Sequence, residues 1–211
     1  MATIRKRILR AAFGTPRGPA GRLGGALMAR SNAEQERRAV ELAAPRPGAR
    51  VLAVGHGPGV GLAPLAEAVA PGGRVVGVDP SASMRAMAAR RCADLLAEGV
   101  LELRDGDAGH TGCDDATVDA AISVNNVMLW DRPAGFAELL RVLRPGARLV
   151  IIVHRHVLGI SPEELGEEAE TAGFTDVEIA TRERRRNGPA IELLATRPAE
   201  GDSPSAGQAR L

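Results

Sequence analysis

The chain has 211 residues, 45% of them hydrophobic and 25% charged, with a formal net charge of +1. That length suits one domain with modest extensions, and that apolar share is enough for a full core. Near-neutral charge argues against nucleic-acid binding over the whole surface. No apolar run reaches the ~18 residues of a membrane span, and two cysteines, Cys92 and Cys113, are too few and too scattered for a disulfide framework or a zinc site.

Residues 1–33 contain Arg and Lys but no acid, and are broken by Gly14, Pro16, Gly18 and Pro19. The stretch 1–30 reads as a basic arm, able to close over a site, attract an anion or pack a homodimer. The polar tail 199–211 reads as disordered, leaving 31–198 as the main domain. Arg5-Lys6-Arg7-Ile8-Leu9-Arg10 lacks the apolar core of a secretory signal, so a cytoplasmic location is expected. Ser31-Asn32-Ala33-Glu34 has the form of a capping box, opening a helix that Pro45 and Pro47 stop after about Ala44. Ser31 and Asn32 would then stand near any ligand at the helix mouth.

Strands are predicted near 50–54, 74–78, 100–104, 118–124, 148–154, 175–180 and 190–196. Helices are predicted near 60–70, 81–98, 133–143 and 161–172. Such alternation predicts an α/β fold: a doubly wound, mostly parallel sheet with helices on both faces. The last two strands form a hairpin through Arg182–Arg186 and Asn187-Gly188, and that Arg run reads as a solvated loop. Cys92 falls on a helix and reads as core.

The first strand, Val51-Leu52-Ala53-Val54, breaks into Gly55-His56-Gly57-Pro58-Gly59-Val60-Gly61. Glycine at alternate positions lets the backbone turn sharply and approach a ligand. A dinucleotide loop needs Gly-x-Gly-x-x-Gly, and both registers fail, at Val60 and at Leu62. The second strand ends in Asp79-Pro80, and an acid at that place accepts hydrogen bonds from ribose hydroxyls; the alternative is a solvated strand end. Ser81 reads as the N-cap of a helix beginning near Met84. The third strand runs into Asp105-Gly106-Asp107-Ala108, readable as a ligand contact or an Asx turn. The fourth opens at Asp119 and ends in Asn125-Asn126, which either supply uncharged donors and acceptors or make a plain turn.

In order, these segments resemble the motifs of the class I S-adenosylmethionine-dependent methyltransferases: Gly-x-Gly-x-Gly, "VVGVDPSASM", "RDGDA" and "LRPGARLVI". The resemblance covers roughly residues 32 to 197. It implies a seven-stranded Rossmann-like sheet with an antiparallel last strand and S-adenosyl-L-methionine as cofactor. Gly55, His56, Gly57 and Gly59 would form the cofactor loop. Asp79 would hold the ribose, with Pro80 and Met84 beside it. Asp107 and Ala108 would read the adenine, with Asp105 as competitor, and Asn125 would face the methionine end. One departure stands out: the family carries an acid two residues before the first glycine, and this chain has Ala53.

The chemistry implied is in-line methyl transfer to a small molecule, with natural-product biosynthesis as the expected setting. His154 and His156, two apart at the end of the fifth strand, are the candidate general bases; His110 and Asp131 are weaker ones. Two histidines without a third ligand do not make a metal site. There is no Tyr, and Trp130 and Phe136 are the aromatics nearest the proposed site. With little chain between the fifth strand and the next helix, the acceptor cap must come from the arm, from Val127–Arg132 or from a second subunit. Abundant Arg against the single Lys6 points to a bacterial genome of high GC content. Two other readings stay open: a relative that binds the cofactor without transfer, and a cyclase or isomerase on the same scaffold.

Overall fold

The computed structural model describes residues 32–184 and 188–199. The basic arm, Ser31, Arg185 to Asn187 and the C-terminal tail from Glu200 lie outside the described residues. Helix α1 (32–43) is followed by β1 (Arg50–Val54), α2 (Leu62–Val69) and β2 (Arg74–Val78). Next come α3 (Ala82–Arg91), α4 (Ala93–Ala97), β3 (Leu101–Arg104) and β4 (Val118–Val124). A 3-10 turn (Val127–Leu129) leads to α5 (Arg132–Val142) and β5 (Leu143–His154). The chain finishes with α6 (Arg155–Leu158), α7 (Pro162–Thr171), β6 (Thr175–Arg182) and β7 (Ala190–Thr196).

The seven strands form one sheet in the order β3-β2-β1-β4-β5-β7-β6. Strands β1 to β5 pair in parallel, and β7 runs antiparallel to both β5 and β6. The predicted seven strands, and the antiparallel last one, are found. Strand order reverses between β1 and β4, which opens a crevice beyond their carboxyl ends where ligands of such sheets bind.

Alternation along each strand feeds two cores. Leu52 and Val54 face a cluster with Phe136, Leu139 and Leu165, whereas Val51 and Ala53 face Leu62, Leu65 and Ala88. Phe136 is fully buried, with edge-on contacts to Trp130 and Phe174 at 6.2 Å each. Cys92 is buried, as expected. It also divides the predicted 81–98 helix, because its φ/ψ of −116°/34° ends α3 and starts α4. Side-chain caps fix three helix starts: Ser81 accepts from Met84 N, Asp131 from Ala134 N and Ser161 from Glu164 N.

Strand β5 begins earlier than position 148, since Leu143 already pairs with Val118 before the register shifts. The capping-box reading rests on Ser31, which lies outside the described residues. Glu34 reaches across to Arg182 and Arg184, at 3.0 and 3.3 Å. Arg182 also pairs with Glu192 at 2.9 Å, and Arg38 joins Glu192 from α1 at 3.2 Å. The solvated-loop reading of the Arg run is therefore wrong for Arg182 and Arg184, which bolt α1 to the β6–β7 hairpin. Among the described residues no helix is long and apolar enough to cross a membrane.

Phe136→Ala should cost about 3–5 kcal/mol, the usual range for emptying a buried aromatic site. Urea unfolding would read this as a lower midpoint with an unchanged slope.

Candidate cofactor and acceptor site

A cavity of about 1010 Å³ lies beyond the carboxyl ends of β1, β2, β4 and β5. Gly55, His56 and Gly57 line it after β1, and Asp79, Pro80 and Met84 after β2. Asp107, Ala108 and His110 line it after β3, and Asn125 and Asn126 after β4. Trp130, Asp131, His154 and His156 close the acceptor side. Gly59 does not line it. A Cβ there would come within 2.9 Å of the Ala88 Cβ, so Gly59 serves the packing of α3 on the loop. Phe136 lies behind Trp130 in the core and does not line the cavity.

The loop after β1 is held from two sides. Asp79 is 6% exposed; its Oδ2 accepts from Gly57 N at 2.9 Å and its Oδ1 from Ser81 N at 2.8 Å. On the other side Asn126 donates from Nδ2 to the carbonyls of Val54, Gly55 and Val124. Its Oδ1 accepts from Ser123 Oγ at 2.9 Å and from Trp130 Nε1 at 2.7 Å. Gly55 has a φ of +64°, and a Cβ there would meet the Asn126 carboxamide at 2.6 Å, so this position tolerates only glycine. Asn126 is thus a structural tie, which the plain-turn reading of the Asn pair did not contain.

His56 Nδ1 lies 2.9 Å from the Gly57 carbonyl, so Nδ1 holds the proton and Nε2 keeps a buried, unpartnered lone pair. Burial pushes this imidazole below its ordinary value and pushes the Asp79 carboxyl above its own. Asp105 forms an ion pair with Arg85 at 2.8 Å and stays off the cavity, whereas Asp107 lines it. Asp107 Oδ1 accepts from Gly109 N at 2.9 Å, and Thr111 bonds Glu138 on α5 at 2.9 and 2.7 Å, which fixes the loop after β3.

The two histidines meet, though not as alternate residues of one strand. Strand β5 ends at His154, and His156 sits on α6, yet the rings stack at 5.4 Å with an angle of 29°. Arg184 Nη1 lies 3.2 Å from His154 Nδ1. Guanidinium only donates, so Nδ1 accepts and the neutral ring carries its proton on Nε2. Burial, then the charges of Arg184 and His156, hold the His154 pKa down to about 4. His154 is therefore a neutral donor, and His156 is exposed and lines the cavity.

Three residues here escaped the sequence reading. Arg184 governs the state of His154. Gln35 on α1 accepts from Asn125 Nδ2 at 2.7 Å, while Asn125 Oδ1 accepts from His154 N at 2.9 Å. Glu36, one residue on, lines the cavity. The four-residue spacing of Gln35, Ala39 and Ala43 marks one buried face of this helix, but not what that face meets.

A glycine loop, a strand-end acid clamping it, and a second acid beyond β3 at a switch-point cavity define an α/β protein with a ligand site of the nucleotide-binding kind. The sequence matches the methyltransferase-domain family over residues 51–146. A phosphatidylethanolamine N-methyltransferase from Cereibacter sphaeroides is 33% identical over 157 residues, covering 72% of this chain and 74% of that protein. Nocamycin O-methyltransferase from Saccharothrix syringae is 39% identical over 115 residues, 54% of this chain and 40% of that one. The chain spans 28–52% of the length of several such curated relatives. A structure of an S-adenosylmethionine-dependent methyltransferase from Aquifex aeolicus superposes with a TM-score of 0.62 at 20% identity, covering 93% of this chain and 98% of that one. The chain belongs to the class I S-adenosylmethionine-dependent methyltransferase family. The cofactor of that family is S-adenosylmethionine, and the residues here fit its parts: a buried acid beside the glycine loop, and an acid-amide pair after β3.

Arg184→Ala should raise the His154 pKa above about 4 but leave it below its ordinary value near ~6.5, because burial remains, as read by imidazole NMR. The native ring refuses a proton that the unfolded chain accepts below ~6.5, so stability should fall as pH drops from there toward about 4. Urea midpoints at several pH values should show a smaller fall in His154→Gln.

Proposed function

We propose that the chain transfers a methyl group from S-adenosylmethionine to a small-molecule acceptor by direct in-line displacement. One observation carries this: the loop clamped by Asp79 and the His154–His156 pair open into a single cavity. Its volume is at the upper end of the usual ~300–1,000 Å³ for small-molecule sites, room for donor and acceptor together. The bound cofactor supplies a methyl group on a positively charged sulfur, already activated for transfer. The protein's part is to align the two molecules and exclude water.

Asp79 would hold the ribose, and Asp107 with the Ala108 backbone the adenine. Trp130, anchored through Nε1, and Val157 give the acceptor side an apolar wall. His154 Nε2 donates a hydrogen bond to an acceptor oxygen or nitrogen. His156 removes the acceptor's proton as the new bond forms. The named O- and N-methyltransferase relatives support an acceptor with a hydroxyl or an amine. The nocamycin relative supports the natural-product setting expected from the sequence.

Asp79→Ala should weaken S-adenosylmethionine binding tenfold or more by calorimetry, given ~1.5–3 kcal/mol for a hydrogen bond to a charged group. His156→Ala should leave that affinity unchanged and lower kcat by about 10²-fold or more once an acceptor is found. Equal kcat in the His156 variant would remove the base from the mechanism. Binding without turnover over broad acceptor panels would favour the non-transferring alternative.

A further inference from the structure

Four carboxylates line the cavity: Glu36, Asp79, Asp107 and Asp131. Three of them are engaged by backbone amides. Asp79 takes Gly57 N and Ser81 N, Asp107 takes Gly109 N, and Asp131 caps α5 through Ala134 N. Glu36 has no hydrogen bond or ion pair among the described residues. Its neighbours on α1 make the contrast sharper, since Glu34 and Arg38 are both tied by ion pairs to the β6–β7 hairpin. With Gln35 bonded to Asn125 as well, α1 is fixed at the cavity mouth, and Glu36 with it.

The carboxylate of Glu36 lies hard against Gly61, where any Cβ would collide with it. It borders a small recess behind the glycine loop, shared with Ala53, Gly55 and His56. Glu36, Gly55 and His56 line the main cavity too, so the recess adjoins it. Glu36 is partly buried, and with no opposing charge among the described residues this pushes its carboxyl up to about 8. An acid drawn out of water without a partner is costly. Such violations persist at functional sites, where a ligand completes the pairing.

Resting on the cofactor reading above, we propose that Glu36 receives the α-ammonium group of the cofactor's amino-acid moiety. The acid absent at Ala53 is thereby supplied from a different element, α1, into the same recess. The small side chain of Ala53 and the missing Cβ of Gly61 leave the room for it.

The test is calorimetric titration of the parent and Glu36→Gln with two probes. S-adenosylhomocysteine carries the amino-acid moiety; 5′-methylthioadenosine shares the nucleoside and thioether but lacks it. Glu36→Gln should bind S-adenosylhomocysteine at least tenfold more weakly and 5′-methylthioadenosine within twofold of the parent. Ala53→Asp added to Glu36→Gln should recover part of the loss. Unchanged binding of S-adenosylhomocysteine overturns the assignment. So does an equal loss for both probes, which marks a purely structural role. A parent protein that binds neither probe overturns the cofactor reading itself, and this assignment falls with it.

Discussion

The carboxylate of Asp79 accepts from the amide of Gly57 after β1 and from the amide of Ser81 at the start of α3. Arg85, one turn along α3, donates to the carbonyl of the same residue at 2.6 Å. One nearly buried acid thus joins two strand ends and a helix start, and the shape of the glycine loop depends on it. Burial of the carboxylate is costly, and the two amide bonds offset that cost while leaving capacity toward the cavity. Asn126 does the corresponding work beneath Gly55. Between them these two side chains fix the loop before any ligand arrives, so binding need not be charged with ordering it.

A second constraint sets the other wall. Arg38, Arg182 and Arg184 with Glu34 and Glu192 draw α1 onto the β6–β7 hairpin. Glu192 is 3% exposed and serves two arginines, so its pairing is a buried network rather than a surface bridge. The network also reaches the chemistry. Arg184 sits on His154 and fixes its tautomer, burial and then the Arg184 charge keep it neutral, and Gln35 and Asn125 hold its backbone. Of two adjacent histidines, burial and Arg184 make one a neutral donor, while the other is exposed toward the cavity.

The sheet was legible because its parallel strands are short apolar runs that end in glycine, acid or amide. The order of those endings brought most of the residues singled out there to one cavity. What the sequence hid was partnership. Alternate glycines look alike, yet Gly55 makes room for Asn126 and Gly59 for Ala88. An Arg run looks solvated until Glu34, 150 positions before Arg184 in the chain, is brought beside it by the fold. Asp105 and Asp107 are two residues apart, and only the ion pair to Arg85 separates their roles. His154 and His156 were paired correctly for the wrong reason, since a turn of helix rather than strand alternation stacks them. Glu36 was silent because nothing in a helical glutamate reveals that its face closes a cavity.

The proposed function places the adenosine of the cofactor in the crevice between β1 and β4. Amide NMR spectra of the unsubstituted protein, followed during addition of S-adenosylhomocysteine, test it most directly. Gly55, Gly57, Asp79 and Ala108 should shift together and saturably, with the amino ends of the same strands unmoved. Shifts confined to another face, or none at all, would contradict it.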